Sequence, residues 1–403
     1  MRRLTLVFLA VFLLLAGSPV LLAQGTFPLK YEDAGDDSAA VMMAGQGSAA
    51  SKEKPPGLTQ VPAGLQGDVV YFAMEVGTRR YHFVLDSSTP VKLYADTDAD
   101  GDLSDEKPLT VVTPESKDLP AGFPGTSHAV ATLTNPATKK TLKIRIIVLG
   151  RQIMIVRQAG YVAGDVRLGG KSCRLAVVDG DFDGLYDRRM PWPASPHERG
   201  TYDSLAVDLD GNGKFELDAE GTIEVCPLPR MIHVGDAYYS LEVAPDGSSV
   251  NLATATPEFG TLDVGTGDVK ITTWSDSGVH QLSGSEGKWR LPAGGYMALM
   301  LNQTKTDKNG AKWSLSCAGN TGKLQSFQIR AGEALSIKVG PPVSVAAETA
   351  VRGGVAYISL SMTGQSGEQY RTALKDGQQM PAPRLTIVTP KGRVLASGSF
   401  EYG

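Results

Sequence analysis

The chain has 403 residues, with 46 glycines, 24 prolines, 42% hydrophobic residues and a net charge of −4. Glycine and proline exceed the roughly 12% of ordinary usage and favour turns and strands over helix bundles. The apolar fraction excludes a disordered chain, and the near-balanced charge excludes nucleic acid as a partner.

The first residues read as an address. Met1-Arg2-Arg3 is a short basic start, Leu4 to Ala16 is apolar, Gly17-Ser18-Pro19 breaks the run, and Val20-Leu21-Leu22-Ala23 precedes Gln24. This is the layout of a secretory signal peptide over residues 1–23, cleaved after Ala23. Leu21 at the −3 position is poor for cleavage, which leaves an uncleaved N-terminal anchor as the alternative. The apolar run, however, falls short of the roughly 20 residues that a spanning helix requires. No later run is long enough either. The expectation is an exported chain, secreted or periplasmic, with no transmembrane segment after cleavage.

Residues 24–65 are small and polar, lack an apolar period and close at Pro55-Pro56-Gly57; they read as a flexible leader. From Val69 the texture changes. Val69 to Val76 and Tyr81 to Leu85 flank Gly77-Thr78-Arg79-Arg80 as a hairpin. Val91 to Ala95, Ala129 to Leu133, Leu142 to Val148, Ile153 to Val156, Leu175 to Val178 and Leu205 to Val207 continue as strands. No window in residues 66–250 has a twelve-residue amphipathic helix period, so this span is predicted to be one β-rich domain.

A second β segment, residues 251–340, holds Leu262 to Val264, Val269 to Trp274, Tyr296 to Leu301, Trp313 to Cys317, Phe327 to Ile329 and Leu335 to Val339. Its Leu291-Pro292-Ala293-Gly294-Gly295-Tyr296 resembles the "LPxGxY" turn of small prealbumin-like and carboxypeptidase-regulatory-like sandwiches. After Gly340-Pro341-Pro342, residues 341–403 carry Ala356 to Met362, Leu385 to Val388 and Val394 to Ala396. That spacing suggests a C-terminal immunoglobulin-like β module. The fold class is therefore mainly β, with one or two sandwich modules behind the first domain.

Three acidic segments read alike. Asp96-Thr97-Asp98-Ala99-Asp100-Gly101-Asp102-Leu103, Asp179-Gly180-Asp181-Phe182-Asp183-Gly184-Leu185-Tyr186 and Asp208-Leu209-Asp210-Gly211-Asn212-Gly213-Lys214-Phe215 each follow a strand. Each is D-x-D-x-[DN]-G with an apolar residue two places beyond the glycine. Calcium takes six to eight hard oxygen ligands, and oxygens at positions 1, 3 and 5 converge only if the chain turns sharply at position 6. Position 7, here Asp102, Leu185 and Lys214, then turns its backbone carbonyl inward.

These segments resemble the loops of EF-hand, dockerin and thrombospondin type 3 calcium-binding proteins. The resemblance implies metal ligands at Asp96, Asp98, Asp100, Asp102, Asp179, Asp181, Asp183, Asp208, Asp210, Asn212 and Lys214. Position 12, where an EF-hand has its bidentate glutamate, holds Lys107, Met190 and Ala219. Nearby acids take that place in the reading: Glu106 in loop one, Asp187 in loop two and Asp218 in loop three. The flanks read as strands, so the expectation is EF-hand-like loops on a β scaffold with up to three structural Ca²⁺ ions.

Other chemistry has little support. Cys173, Cys226 and Cys317 are too few for a disulfide scaffold; a Cys173–Cys226 bridge and three buried thiols both suit the count. No CxxC or Cys/His cluster offers a zinc site. G-x-S-x-G, H-E-x-x-H and P-loop motifs are absent from the sequence, and the five histidines are dispersed. His197 and Glu198 share a Pro-rich connector and read as a surface pair. The leading expectation is a non-enzymatic exported calcium-binding protein that binds an envelope or extracellular protein or polysaccharide. The alternative is a carboxylate-dependent envelope hydrolase, for example one acting on glycans, which requires a carboxylate pair in a cleft.

Overall fold

A computed structural model describes residues 25–35, 41, 45–77, 79–112, 126–136, 139–192, 202–216, 224–265, 267–319 and 321–400. The expected signal peptide, His197 and Glu198 lie outside these residues. Among them there is no α-helix; the architecture is a succession of mostly antiparallel sheets.

The first nine strands are β1 (Gly25–Pro28), β2 (Lys30–Asp33), β3 (Gly45–Ala49), β4 (Val69–Val76), β5 (Arg79–Asp86), β6 (Lys92–Ala95), β7 (Thr126–Thr134), β8 (Thr141–Leu149) and β9 (Ile153–Gln158). Sheets ordered β3-β9-β8-β7 and β4-β5-β6 share one core. Period-two alternation explains it: Val70, Phe72, Met74 and Val76 of β4 turn inward and meet Ile144 and Ile146 of β8 and Met154 and Val156 of β9.

Next come β10 (Gly160–Leu168), β11 (Lys171–Val178), β12 (Ser204–Val207), β13 (Val225–Pro227), β14 (Met231–Val234), β15 (Ala237–Val243) and β16 (Ser249–Ala255). They form sheets ordered β13-β12-β11-β10-β2 and β1-β16-β15-β14. Leu175, Val177, Leu205, Leu241 and Leu252 pack together between them. The opposite face of the five-stranded sheet, with Ala176, Val178 and Ala206, is covered by Val41 and Phe215. Strand β11 is thus covered on both faces, which is why Leu175 to Val178 reads as an unbroken apolar run.

Two readings change here. Residues 66–250 hold two β bodies with separate cores, joined where β9 runs through Ala159 into β10. The stretch read as a flexible leader contributes β1, β2 and β3 to sheets of both bodies. All three are edge strands. An edge strand takes hydrogen bonds from one side and requires few apolar side chains, so the hydrophobic pattern does not mark them.

The third body contains β17 (Phe259–Asp263), β18 (Asp268–Ser275), β19 (Gly278–Gly284), β20 (Lys288–Pro292), β21 (Gly294–Thr306), β22 (Lys312–Cys317), β23 (Phe327–Ile329), β24 (Ala334–Ser336), β25 (Ser344–Arg352), β26 (Val355–Thr363) and β27 (Gln369–Lys375). Sheet β20-β17-β24 and the larger sheet β19-β18-β21-β22-β27-β26-β25 supply one core. Tyr296 of the LPxGxY turn is fully buried and donates its hydroxyl to the Pro292 carbonyl at 2.8 Å. Beyond Pro341, Tyr370 is the one buried apolar side chain among the described residues. Residues 344–375 therefore extend the neighbouring sheet through the β22–β27 ladder. Arg384–Val388 and Val394–Ser399 pair with each other as a separate two-stranded sheet. The described residues from 341 to 400 lack the separate core expected of an immunoglobulin-like module.

All three cysteines are free. Cys173 lies on β11 and Cys226 on β13, with β12 between them. Two strand spacings come to about 9.5 Å, beyond the reach of a disulfide.

Candidate metal centres

The three acidic segments adopt one backbone conformation. In each, the position-1 carboxylate accepts the amides of positions 5 and 6: Asp96 from Asp100 and Gly101, Asp179 from Asp183 and Gly184, Asp208 from Asn212 and Gly213, all at 2.9–3.2 Å. In each, the position-5 side chain accepts the amide two residues on, at 2.7–2.8 Å: Asp100 from Asp102, Asp183 from Leu185, Asn212 from Lys214. Positions 4 and 6 are left-handed throughout, at Ala99 and Gly101, Phe182 and Gly184, Gly211 and Gly213. Gly101 is required twice over, since a Cβ there would also lie 2.3 Å from the Gly57 carbonyl oxygen. The position-8 residues anchor the loops: Leu103 and Phe215 are buried, and Tyr186 packs on the second core.

A further carboxylate closes each loop on the amide of position 2. Glu106 accepts the Thr97 amide and hydroxyl, both at 2.6 Å. Asp203 accepts the Gly180 amide at 2.9 Å, and Glu224 the Leu209 amide at 2.7 Å. Glu106 was expected; Asp203 and Glu224 were not. They come from the residue just before β12 and just before β13. The antiparallel pairing of Val178 with Ser204, and the Val207–Glu224 backbone bond, set each beside the start of its loop. Their signal was an acid directly preceding the next strand, which loop-local spacing cannot register. Asp203 and Glu224 also join the converging carboxylates of their loops, whereas Glu106 does not.

Three groups of carboxylates converge to within 4.8 Å: Asp96 with Asp98 and Asp100, Asp179 with Asp181 and Asp203, Asp208 with Asp210 and Glu224. The other expected ligands fall differently. Asp102 turns its side chain to Ser104 and Gln60, leaving only its carbonyl for the loop. Asp183 and Asn212 accept the turn amides above, as Asp100 does, but neither belongs to a converging group, and Asn212 also donates to Asp210 at 3.0 Å. The Lys214 amide closes the loop-three turn, so its own contribution is a carbonyl. Asp187 is half-buried and joins no converging group. Asp218 lies outside the described residues.

Loop two is the most buried. Asp179, Asp181 and Asp203 are all nearly inaccessible. Burial, reinforced by neighbouring carboxylates, pushes the Asp179 carboxyl above the usual range and Asp203 up to about 8. Burial also raises Asp98, helped by Asp100 and Asp96, and Glu224. Arg188 pairs with Asp181 Oδ2. Asp181 Oδ1 is buried without any hydrogen-bond partner. A buried carboxylate oxygen with nothing to bind is costly, and a cation beside it removes the cost. The donors are all oxygen, the choice of hard divalent cations over zinc or copper. In loop one the buried His82 sets Nδ1 3.2 Å from Asp96 Oδ2 and Nε2 3.2 Å from the Pro56 carbonyl. Those contacts fix the orientation of the position-1 carboxylate from behind.

No family model matches the chain, and no curated protein or solved structure does either. Fold and site define the class alone: a multi-body β protein carrying three acidic loops able to hold a metal.

Proposed function

We propose that this is an exported, non-enzymatic calcium-binding protein whose three EF-hand-like loops hold structural Ca²⁺, with its β bodies serving a binding or adhesive role in the cell envelope or outside the cell. The observation that carries the calcium reading is the threefold repetition of one loop conformation, each closed by an extra carboxylate. Solvated acidic turns have no reason to agree at positions 1, 2, 4, 5 and 6. Export rests on the signal-peptide layout of residues 1–23. The ions are structural because strands fixed in sheets flank the loops, whereas a calcium sensor moves helices. The partner in this reading is an envelope or extracellular protein or polysaccharide.

The hydrolase alternative would use the buried Asp179–Asp203 pair as its acid and base. Against it, both oxygens of Asp203 already accept backbone amides, from Gly180 and Arg188, and the residue is fully buried. Calorimetric titration of the mature chain with Ca²⁺ tests the proposal. Three sites are expected, in the range of about 10⁻⁴–10⁻³ M typical of extracellular modules. A flat isotherm contradicts it.

A further inference from the structure

We infer that a cation held by Asp179, Asp181 and Asp203 pins the first β body onto the second, so that ion binding and the docking of the two bodies stabilise each other. The inference rests on the calcium reading above and deepens it for loop two.

The ligands belong to the second body. Asp179 and Asp181 follow β11, and Asp203 precedes β12. Phe182, between the ligands, belongs to the other: its side chain is buried in the first core, with Val76, Tyr81 and Leu133. The β4–β5 turn closes over it so tightly that a Cβ on Gly77 would lie 2.4 Å from the Phe182 carbonyl oxygen. A cavity of about 450 Å³ follows the same seam, lined by Val76, Tyr81, Leu142, Asp179, Phe182 and Tyr186.

Position 4 explains the coupling. All three loops are left-handed there, but loops one and three use Ala99 and Gly211. Phe182 is the one large apolar residue among the described residues with positive φ, at 63°. A bulky side chain disfavours that conformation, and it persists because the ring is held in the first core. Separating the bodies would expose the ring and let the backbone relax. Asp181 and Asp183 flank that residue and would then leave their loop positions. Conversely, the unpartnered Asp181 Oδ1 leaves the ion-free cluster with an uncompensated buried oxygen, and a cation there rewards the docked arrangement. The second observation beyond the acidic cluster is that orphaned oxygen.

Hydrogen exchange of the full mature chain, in calcium and in chelator, decides it. With calcium at about ten times Kd, the open state that releases the ion becomes about tenfold less populated, and its amide exchange falls by the same factor. The expected result is that calcium protects Val69–Asp86 by that factor in the wild type. In Asp181→Asn, one calcium site is lost and most of this protection disappears, although loop one is intact. In Phe182→Gly, which keeps every ligand and a permissive backbone, the affinity of one site falls and the protection falls with it. Equal protection of Val69–Asp86 in the wild type and both variants, with three sites titrating in the wild type, overturns the pin and leaves the calcium reading standing. No calcium binding in the wild type overturns both.

Discussion

Asp203 stands opposite Asp179, one step beyond the Val178–Ser204 pair that ends the β11–β12 ladder. The two carboxylates share a cluster with Asp181, yet each also holds amides of the loop. Asp203 is therefore both a structural acceptor and a candidate ligand. Its two roles separate by substitution. Asp203→Ala strands the buried Gly180 amide, at roughly 1–3 kcal/mol, and the part-buried Arg188 amide at a smaller cost, and removes one calcium site. Asp203→Asn costs less stability and removes the same site. Denaturant unfolding in chelator, paired with calcium titration, reads both.

Glu224 makes the matching test in loop three. Glu224→Gln keeps an oxygen for the Leu209 amide but removes the charge beside Asp208 and Asp210. Calcium affinity at one of three sites should fall on the order of 10–100-fold, with the other two unchanged, as site-resolved titration will show.

The ion-free protein should respond to pH in an unusual direction. Burial raises the folded Asp179 and Asp203 carboxyls above 3.8, Asp203 to about 8. The folded state then binds more protons than the unfolded one across that window. The stability these groups contribute is full below about pH 4 and is lost as pH rises through about 8. In chelator, the Tm difference between wild type and Asp203→Asn should shift in favour of the wild type on going from pH 8 to pH 5.

His280 has the opposite sign. It is buried, its Nε2 lies 2.8 Å from Ser277 Oγ, and its ring stacks on His233 at 4.7 Å. Burial, then the neighbouring His233, pushes it down to about 3. Below pH 6.5 the unfolded chain takes up a proton that the folded one refuses, so stability present above 6.5 is lost as pH falls toward 3. His280→Gln should flatten the fall in Tm between pH 6 and 4.

Much of the fold was legible because most strands carry their own hydrophobic pattern; Val69–Val76 and Asp268–Ser275 are examples. The edge strands β1 to β3 carried none, and β10, Gly160–Leu168, was hidden by its two glycines and an aspartate. Gly164 admits no side chain, since a Cβ would sit 2.3 Å from the Pro28 carbonyl oxygen. In the loops, positions 1 to 8 were readable because turn chemistry is local. Asp203 and Glu224 were not, because the sheet register that delivers them is long-range. Phe182 occupies an unspecified position of the motif, and its burial in the neighbouring body depends on tertiary contact alone.

The most direct measurement is anomalous diffraction from crystals of the mature chain grown with calcium chloride. The account predicts a peak in each loop, with oxygens of Asp96, Asp179 and Asp208 at about 2.3–2.6 Å. It also predicts Asp203 beside the ion in loop two and Glu224 beside the ion in loop three. Loops of unchanged conformation without anomalous density at saturating calcium would contradict it.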